Sequence, residues 1–394
     1  MTTIEKRRSK VAIIGLGASE FSRSGGTSAR ALAAEGCVNA ISDAGMTKKD
    51  IDGLLLNRSP LEPHETLPLE LRRDMGLGDL SLLASIEGEG SSALQMIQYA
   101  SYAVSSGAAK AVLCVFADAP VGDSGAGDSY AVSLGLTGLE GWDERQGLIG
   151  AVGGFALSAQ RYFHLYGGGP DALYSAAASD RSWAQKNPDA FLRKPLTKEE
   201  YLASRWIVEP LRLFDCAYPV NGAVAVVVTS ASHAEEWEGT PTYIHGFGQG
   251  HGGSPNFSGY EPEVKTGAEV AARNLYAATG LSPQNFDFCE FYNAFSITTL
   301  LALEGYGFCG AGEAVDFISD GATAPGGALP TNTGGGHLSS YYLQGMTPIH
   351  EGVVQIRGEG GDRQLAVSDI GLVTGFGGRM DFHAAMAISQ HREL

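Results

Sequence analysis

Two stretches of this sequence run through the same order of elements, and that repeat constrains the fold more than any other feature. Val11-Ala12-Ile13-Ile14-Gly15-Leu16-Gly17 is a β-branched run ending in glycines. An Ala-rich segment with helical spacing follows from Ser28 to Ala44, then Gly45 as a helix stop, a polar turn to Asp52 and the apolar strand Gly53-Leu54-Leu55-Leu56. Tyr243-Ile244-His245-Gly246-Phe247-Gly248, a helical segment from Val264 to Thr279 and the turn Gly280 to Asp287 repeat that order. Residues 11–56 and 243–291 therefore predict a duplicated α/β fold, each half a βαβα layer with its own sheet. A chain of 394 residues with 44% hydrophobic content has the material for two such halves. The first is expected over 1–240, with a less regular loop insertion at about 118–208, and the second over 241–394. Gly15 and Gly17 do not open a dinucleotide site, because Ser19-Glu20 follow and the third glycine of that fingerprint is missing.

Between the repeats, Ala111 to Phe116 and Val224 to Val228 read as fully buried strands. A helix is expected around Phe155 to Tyr166, and Lys186-Asn187-Pro188 is a stop. Ser81 to Glu87 reads as a strand that runs into Gly88-Glu89-Gly90-Ser91 and a helix from Ser92 to Ser106. That junction sets Gly90 at a helix N-terminus, where backbone N–H groups favour a developing negative charge.

Charge excludes one class of partner. With 27 basic against 44 acidic residues the net charge is −17, so no nucleic acid is expected. The densest basic group is Arg161, Arg181, Lys186, Arg193 and Lys194, which is either a patch for an anionic substrate or an ordinary solvated face. Cys37, Cys114, Cys216, Cys289 and Cys309 have no CxxC spacing and read as small buried hydrophobes, with no metal site and no disulfide framework. No signal-like run opens the chain and no apolar run is long enough to span a bilayer, so a cytoplasmic protein with no membrane association is expected.

Three loops stand out as candidates for chemistry. Thr331-Asn332-Thr333-Gly334-Gly335-Gly336-His337 continues through Leu338-Ser339-Ser340 to Tyr341-Tyr342-Leu343-Gln344-Gly345, poor material for a helix or a strand. Glu290-Phe291-Tyr292-Asn293-Ala294-Phe295-Ser296 places a Tyr-Asn pair after a buried strand, and Gly375-Phe376-Gly377-Gly378 is a second glycine cluster.

The helix from Phe155 to Gly167 with Lys186-Asn187-Pro188 after it, the Asp215-Cys216 to Gly222-Ala223 segment and then these loops, in their order along a duplicated chain, resemble the thiolase superfamily and within it the sterol-carrier/lipid-transfer branch. The resemblance implies a five-layer αβαβα thiolase fold. It also shows what is missing. The position of the family's nucleophilic Cys falls on Gly90, the His of its Gly-His-Pro loop on Tyr342, the His of its NAF-type loop on Tyr292, and no second Cys lies in 371–380. A chain without these groups cannot form an acyl-enzyme.

Two tyrosines in their place resemble the lipid-transfer-protein-like aldolases that cleave β-hydroxyacyl-CoA side chains, notably of steroids. The implied reaction is a retro-aldol cleavage to a ketone or aldehyde and a shortened acyl-CoA. Tyr292 and Tyr342 would be its acid/base pair, Asn293 would orient a water or the carbonyl, and the N–H groups of Gly90 and Gly375 would hold the enolate oxygen. A tyrosine base would need its pKa lowered by neighbouring donors or dipoles. Tyr341 is the alternative partner if the register is shifted by one, His337 is a site residue or a structural one, and Ser91 is the alternative nucleophile. The resemblance further implies a homodimer and a hetero-oligomer with a DUF35-type zinc-ribbon and OB-fold protein. No cofactor is expected on this chain, the CoA thioester being substrate and zinc belonging to the partner. The competing readings are a non-catalytic acyl-CoA or lipid-binding subunit and a thiolase with an atypical nucleophile.

Overall fold

The protein is described here by a computed structural model that covers residues 8–59, 67–122, 138–251, 264–378 and 380–394. Most of the N-terminal stretch expected to be polar, and residues 123–137 of the expected insertion, lie outside the described residues.

The repeat is visible in the strand order. The first half supplies β1 (Val11–Ala18), β2 (Gly53–Asn57), β3 (Leu82–Ile86), β4 (Ala111–Asp118) and β5 (Gly222–Ser230). The second supplies β6 (Thr242–His251), β7 (Phe288–Glu290), β8 (Ile370–Gly377) and β9 (Phe382–Ser389). From one edge to the other the sheet reads β3-β2-β4-β5-β1-β6-β9-β8-β7. Read inward from each edge, β2-β4-β5-β1 and β7-β8-β9-β6 are the same motif: one parallel pairing followed by two antiparallel ones. Each first unit carries its helix as expected, α1 (Ala29–Asp43) after β1, capped by the Ser28 side chain, and below it the matching helix after β6.

The expectation of two separate sheets does not hold. Val11–Ile13 of β1 pairs antiparallel with Thr242–Ile244 of β6, so one hydrogen-bonded sheet of nine strands passes through both halves. Each half alone would leave its β1-type strand with unpaired backbone groups, and joining the two edges satisfies both.

The layers follow from alternation along the strands. Ala12, Ile14, Leu54, Leu56 and Leu113 pack against α1 on one side of the first half. Ile13, Leu55, Val112 and Cys114 turn the other way, onto α2 (Ser92–Ser105) and α7 (Met346–Arg357), which also receive Val373 and Met386 from the second half. Leu372, Ala385 and Ala387 turn outward again, onto α5 (Ala268–Thr279) and α6 (Ser296–Gly305). Helix, strands, shared helices, strands, helix is the five-layer arrangement. The insertion enters between β4 and β5, where the second half has only the short turn between β8 and β9, and it carries α3 (Val152–Tyr166) and α4 (Pro170–Ala184). Both insert helices pack with α6, covering the outer face of the second half. Among the described residues no helix is long and apolar enough to cross a membrane.

This topology gathers the expected loops. The Tyr292 segment leaves the C-terminal end of β7, Gly375–Gly378 ends β8, the glycine run precedes α7, and Gly90 precedes α2.

Candidate active site

The chain brings together the two tyrosines that lie 50 residues apart in sequence, with their hydroxyl oxygens 2.6 Å from each other and their rings nearly perpendicular at 86°. Tyr292 is held from behind: its N–H donates to Thr374 Oγ1 at 3.3 Å, and its ring lies 4.5 Å from Phe376 and 4.6 Å from His337. Tyr342 is the less buried of the two. Its N–H donates to the Tyr218 carbonyl at 3.0 Å, beside the bridge between Pro219 and Tyr342.

The expected lowering of a tyrosine pKa is reversed. Burial pushes both phenols up, and the charges of Glu89, and for Tyr342 also Asp118, push further in the same direction. Either hydroxyl can be the donor in the bond between them, so the two phenols share their protons as a pair.

The two loops are locked by a reciprocal clamp. The Asn293 N–H donates to His337 Nδ1 at 3.0 Å, and the His337 N–H donates to Asn293 Oδ1 at 2.9 Å. His337 Nε2 donates to the Gln344 carbonyl at 2.8 Å, so both ring nitrogens are engaged. Burial lowers its pKa to about 3 and keeps it neutral. Asn293 Nδ2 donates to Asp180 Oδ2 at 2.6 Å, and Asn332 Nδ2 reaches Asp180 Oδ1 at 3.4 Å. The Asn293 side chain therefore holds the two loops together, using one of its two N–H donors and one of its two acceptor lone pairs. Gly336 at φ +54 belongs to the same clamp, because a Cβ there would stand 2.3 Å from Asp180 Oδ2.

Tyr341 points away from the pair. Its hydroxyl meets His350 Nδ1 at 3.0 Å and its ring lies 4.2 Å from Phe21, so the register that makes Tyr342 the partner is the one adopted. Arg181 is not part of a solvated basic face. It is buried on α4, donating from Nε to Ser339 Oγ at 2.9 Å and from Nη1 to the Lys194 carbonyl at 3.1 Å.

Gly90 lies in a single turn of 3-10 helix before α2. A Cβ there would fall 2.1 Å from the Phe376 carbonyl and 2.5 Å from the Tyr292 ring, so no side chain fits. The Tyr292 ring occupies the space that a nucleophile at position 90 would need. Ser91 is buried with its hydroxyl donating to the Gly88 carbonyl at 2.7 Å and accepting from Gln95 Nε2 at 2.7 Å, a role in the turn, with no imidazole to activate it. A Cβ on Gly375 would come within 2.9 Å of the Gly90 carbonyl, so the two glycines expected as oxyanion donors are adjacent.

Sequence reasoning missed the buried acids around these loops. Asp180 follows no motif, yet it ties Asn293 and Asn332 together; burial raises its pKa to about 8. Below the glycine run, Thr333 Oγ1 lies 2.7 Å from Glu290 Oε1 and 3.0 Å from Glu351 Oε1. Glu351 is paired with Arg363 at 2.9 Å, and the Glu290 carboxyl is pushed well up, first by burial and next by the Glu351 charge. The Asp215 segment is also recruited: Ala217 N–H donates to the Ala294 carbonyl at 2.8 Å, and Ser296 Oγ donates to Asp215 at 2.6 Å.

All five cysteines are free; Cys37, Cys114 and Cys289 are buried as expected, whereas Cys216 and Cys309 are half-buried. Among the described residues no cluster of three His, Cys, Asp or Glu side chains could hold a metal.

Residues 254–390 match the family described as Thiolase C-terminal domain-like. The chain is 36% identical to the 17-hydroxy-3-oxo-4-pregnene-20-carboxyl-CoA lyase of Mycobacterium tuberculosis, over 93% of this chain and 97% of that one. It is 35% identical to the steroid side-chain-cleaving aldolase of Thermomonospora curvata, over 93% and 95% of the two chains. Among solved structures it is similar to the Ltp2-ChsH2(DUF35) aldolase, with a TM-score of 0.87 and 32% identity over 98% of this chain and 99% of that chain. Human mitochondrial 3-ketoacyl-CoA thiolase, at 14% identity and a TM-score of 0.72, shares the fold.

Proposed function

The chain belongs to the thiolase-fold family that includes the steroid side-chain-cleaving aldolases, and from that premise we propose that it is a retro-aldolase acting on a β-hydroxyacyl-CoA with a steroid or similarly bulky acyl part. It is a carbon–carbon lyase whose products are a ketone or aldehyde and a shortened acyl-CoA. The observation that carries the reading is the pair of tyrosine hydroxyls 2.6 Å apart, standing where Gly90 admits no nucleophile.

The chemistry needs no acyl-enzyme and no phenolate at rest. One carbon separates the substrate's β-hydroxyl from Cα, a span that two bonded phenols can bridge. Tyr342, the more open of the pair, takes the hydroxyl proton while passing its own to Tyr292. Tyr292, whose ring abuts Gly90, gives its own proton to Cα as it receives that of Tyr342, so neither phenol holds two protons. The O–H pair becomes the new carbonyl bond, and the electrons of the Cα–Cβ bond pass through the thioester enolate to the new Cα–H bond. The raised pKa of both phenols, a defect in a stand-alone base, suits a relay in which neither carries charge for long. The backbone N–H groups of Gly90 and Gly375 are proposed to hold the enolate oxygen, and Asn293 and His337 to hold the two tyrosine loops in register. Metal chemistry is not assigned to this chain.

Assembly follows the same reading. A homodimer and a hetero-oligomer with a DUF35-type zinc-ribbon and OB-fold protein are proposed, any zinc lying in that partner; a relative of similar fold is described as an aldolase of this composition. Five free cysteines suit a reducing compartment, and we place the protein in the cytoplasm.

The test is to incubate the purified protein, with and without a DUF35-type partner, with a tertiary β-hydroxyacyl-CoA and no free CoA, and to follow products by mass spectrometry. A ketone plus a shortened acyl-CoA is expected, lost in Tyr292→Phe and Tyr342→Phe. Cleavage of a β-ketoacyl-CoA that depends on added CoA would overturn the reading in favour of a thiolase, and binding without cleavage in favour of a non-catalytic subunit.

A further inference from the structure

Residues 216–221, between a short 3-10 turn and β5, belong to no helix and no extended strand, yet the Tyr342 segment is fastened to them. The Tyr218 carbonyl takes the Tyr342 N–H at 3.0 Å, the Tyr218 N–H donates to the His337 carbonyl at 2.8 Å, and Pro219 is bridged to Tyr342. Proline has no N–H of its own with which to anchor this stretch. The placing of Tyr342 therefore depends on what holds 218–221.

The loop after β1 holds it. Ser22 and Asn221 exchange backbone hydrogen bonds of 2.9 and 2.8 Å, and Asn221 Nδ2 donates to the Ser24 carbonyl at 3.0 Å. Between those two serines, Arg23 donates from Nη1 to the Pro219 carbonyl, and its guanidinium lies over the Tyr218 ring, 4.2 Å from the centroid. A charged donor on a carbonyl makes a strong bond, and a planar guanidinium can stack with its face while bonding through its edge. Arg23 thus grips the side chain of Tyr218 and the backbone of Pro219, the two residues that meet Tyr342.

We propose that Arg23 is a positioning residue of the tyrosine pair, holding the Tyr218–Pro219 segment that sets the place of Tyr342. The proposal rests on the aldolase reading and deepens it. The clamp of Asn293 and His337 fixes the start of the glycine run against the Tyr292 loop, and Arg23 fixes the far end of that run, where Tyr342 must stay within hydrogen-bond reach of Tyr292. A proton relay is sensitive to such placing, because a displacement of about 1 Å in the reacting groups costs on the order of 10²-fold in rate.

The test compares Arg23→Met and Arg23→Lys with the wild type in two measurements: kcat and KM for retro-aldol cleavage, and hydrogen exchange without substrate, read by mass spectrometry on peptides that include Tyr342. Arg23→Met is expected to speed exchange at Tyr342 while peptides from β1 and β8 stay protected, and to lower kcat by on the order of 10–10²-fold with KM little changed. Arg23→Lys keeps the charge without the planar face and is expected to fall between. In a Tyr342→Phe background Arg23→Met is expected to cost nothing further, since its effect passes through that hydroxyl. Unmoved exchange at Tyr342, or the same loss of kcat in both backgrounds, would overturn the proposal; a raised KM with kcat intact would overturn it too and make Arg23 a contact of the substrate. Should Arg23→Met not fold, Arg23→Lys must show the same changes in smaller measure, and unmoved exchange there overturns the proposal equally. Exchange does not depend on turnover, so faster exchange at Tyr342 in a protein that cleaves no β-hydroxyacyl-CoA would sustain the grip of Arg23 and reject the aldolase reading.

Discussion

A single added carbon at position 90 decides between two chemistries. The Tyr292 ring fills the space beside Gly90, so Gly90→Cys does not recreate a nucleophile; it collides with a backbone carbonyl 2.1 Å away and with the ring at 2.5 Å. The expected outcome is a loss of about 1–3 kcal/mol or more of stability, read by thermal or urea unfolding, with no gain of thiolase activity. If each tyrosine acts in the proton-transfer step as proposed, its replacement by Phe is expected to cost about 10²–10⁴ in kcat with KM little changed. Asp180 provides a test of the clamp that does not involve turnover. Its carboxyl is raised from an ordinary 3.8 to about 8 by burial, so its contribution to stability is fully present below the unfolded value and is lost as pH rises through the folded one. The melting temperature of the wild type should therefore fall relative to that of Asp180→Asn between about pH 4 and pH 8. Parallel curves for the two proteins would mean that Asp180 titrates normally.

Among the elements, β3 is the edge that most needs a partner. The opposite edge, β7, is covered by the chain at Thr331, which bridges to Cys289. β3 ends the sheet on the other side with Leu83 38% exposed. An open strand with an exposed leucine is a template for another strand, and the proposed homodimer is expected to form along it. Leu83→Lys should give a monomer in sedimentation velocity, whereas a dimer of unchanged stability would put the contact elsewhere. The helices teach a different lesson. The insert helices α3 and α4 belong to the first half in sequence but pack on α6 of the second, and α4 carries Asp180 and Arg181 to the glycine run. A repeat in sequence marks which elements are equivalent, and an insertion then makes the halves interdependent.

Taken as a whole, the molecule joins two copies of one motif through β1 and β6 and shares α2 and α7 between them. That arrangement puts Tyr292, one of the two tyrosines proposed to be catalytic, on a loop of the second half's strands and presses Gly90, from the first half, against its ring. Separate expression of 1–240 and 241–394 is accordingly expected to give two insoluble or partly folded chains, since the core around α2 and α7 draws on strands from both. The sequence by itself determined a good deal of this: alternation and glycine stops marked the strands, the repeat marked the duplication, and the absence of Cys and His at Gly90, Tyr292 and Tyr342 removed the acyl-enzyme. These are local properties, set by the period of side-chain exposure and by which functional groups are present. Only the tertiary structure decided that the two sheets are continuous, that Asn293 and His337 are a clamp, that Tyr341 faces away, and that Asp180 stands beside the loops. Each of these depends on a meeting of residues far apart in the chain, and a carboxylate has no sequence signature for the neighbour it will meet. The pKa of the tyrosines belongs to the same class, because burial and charge at a distance set it, and neither exists until the chain has folded.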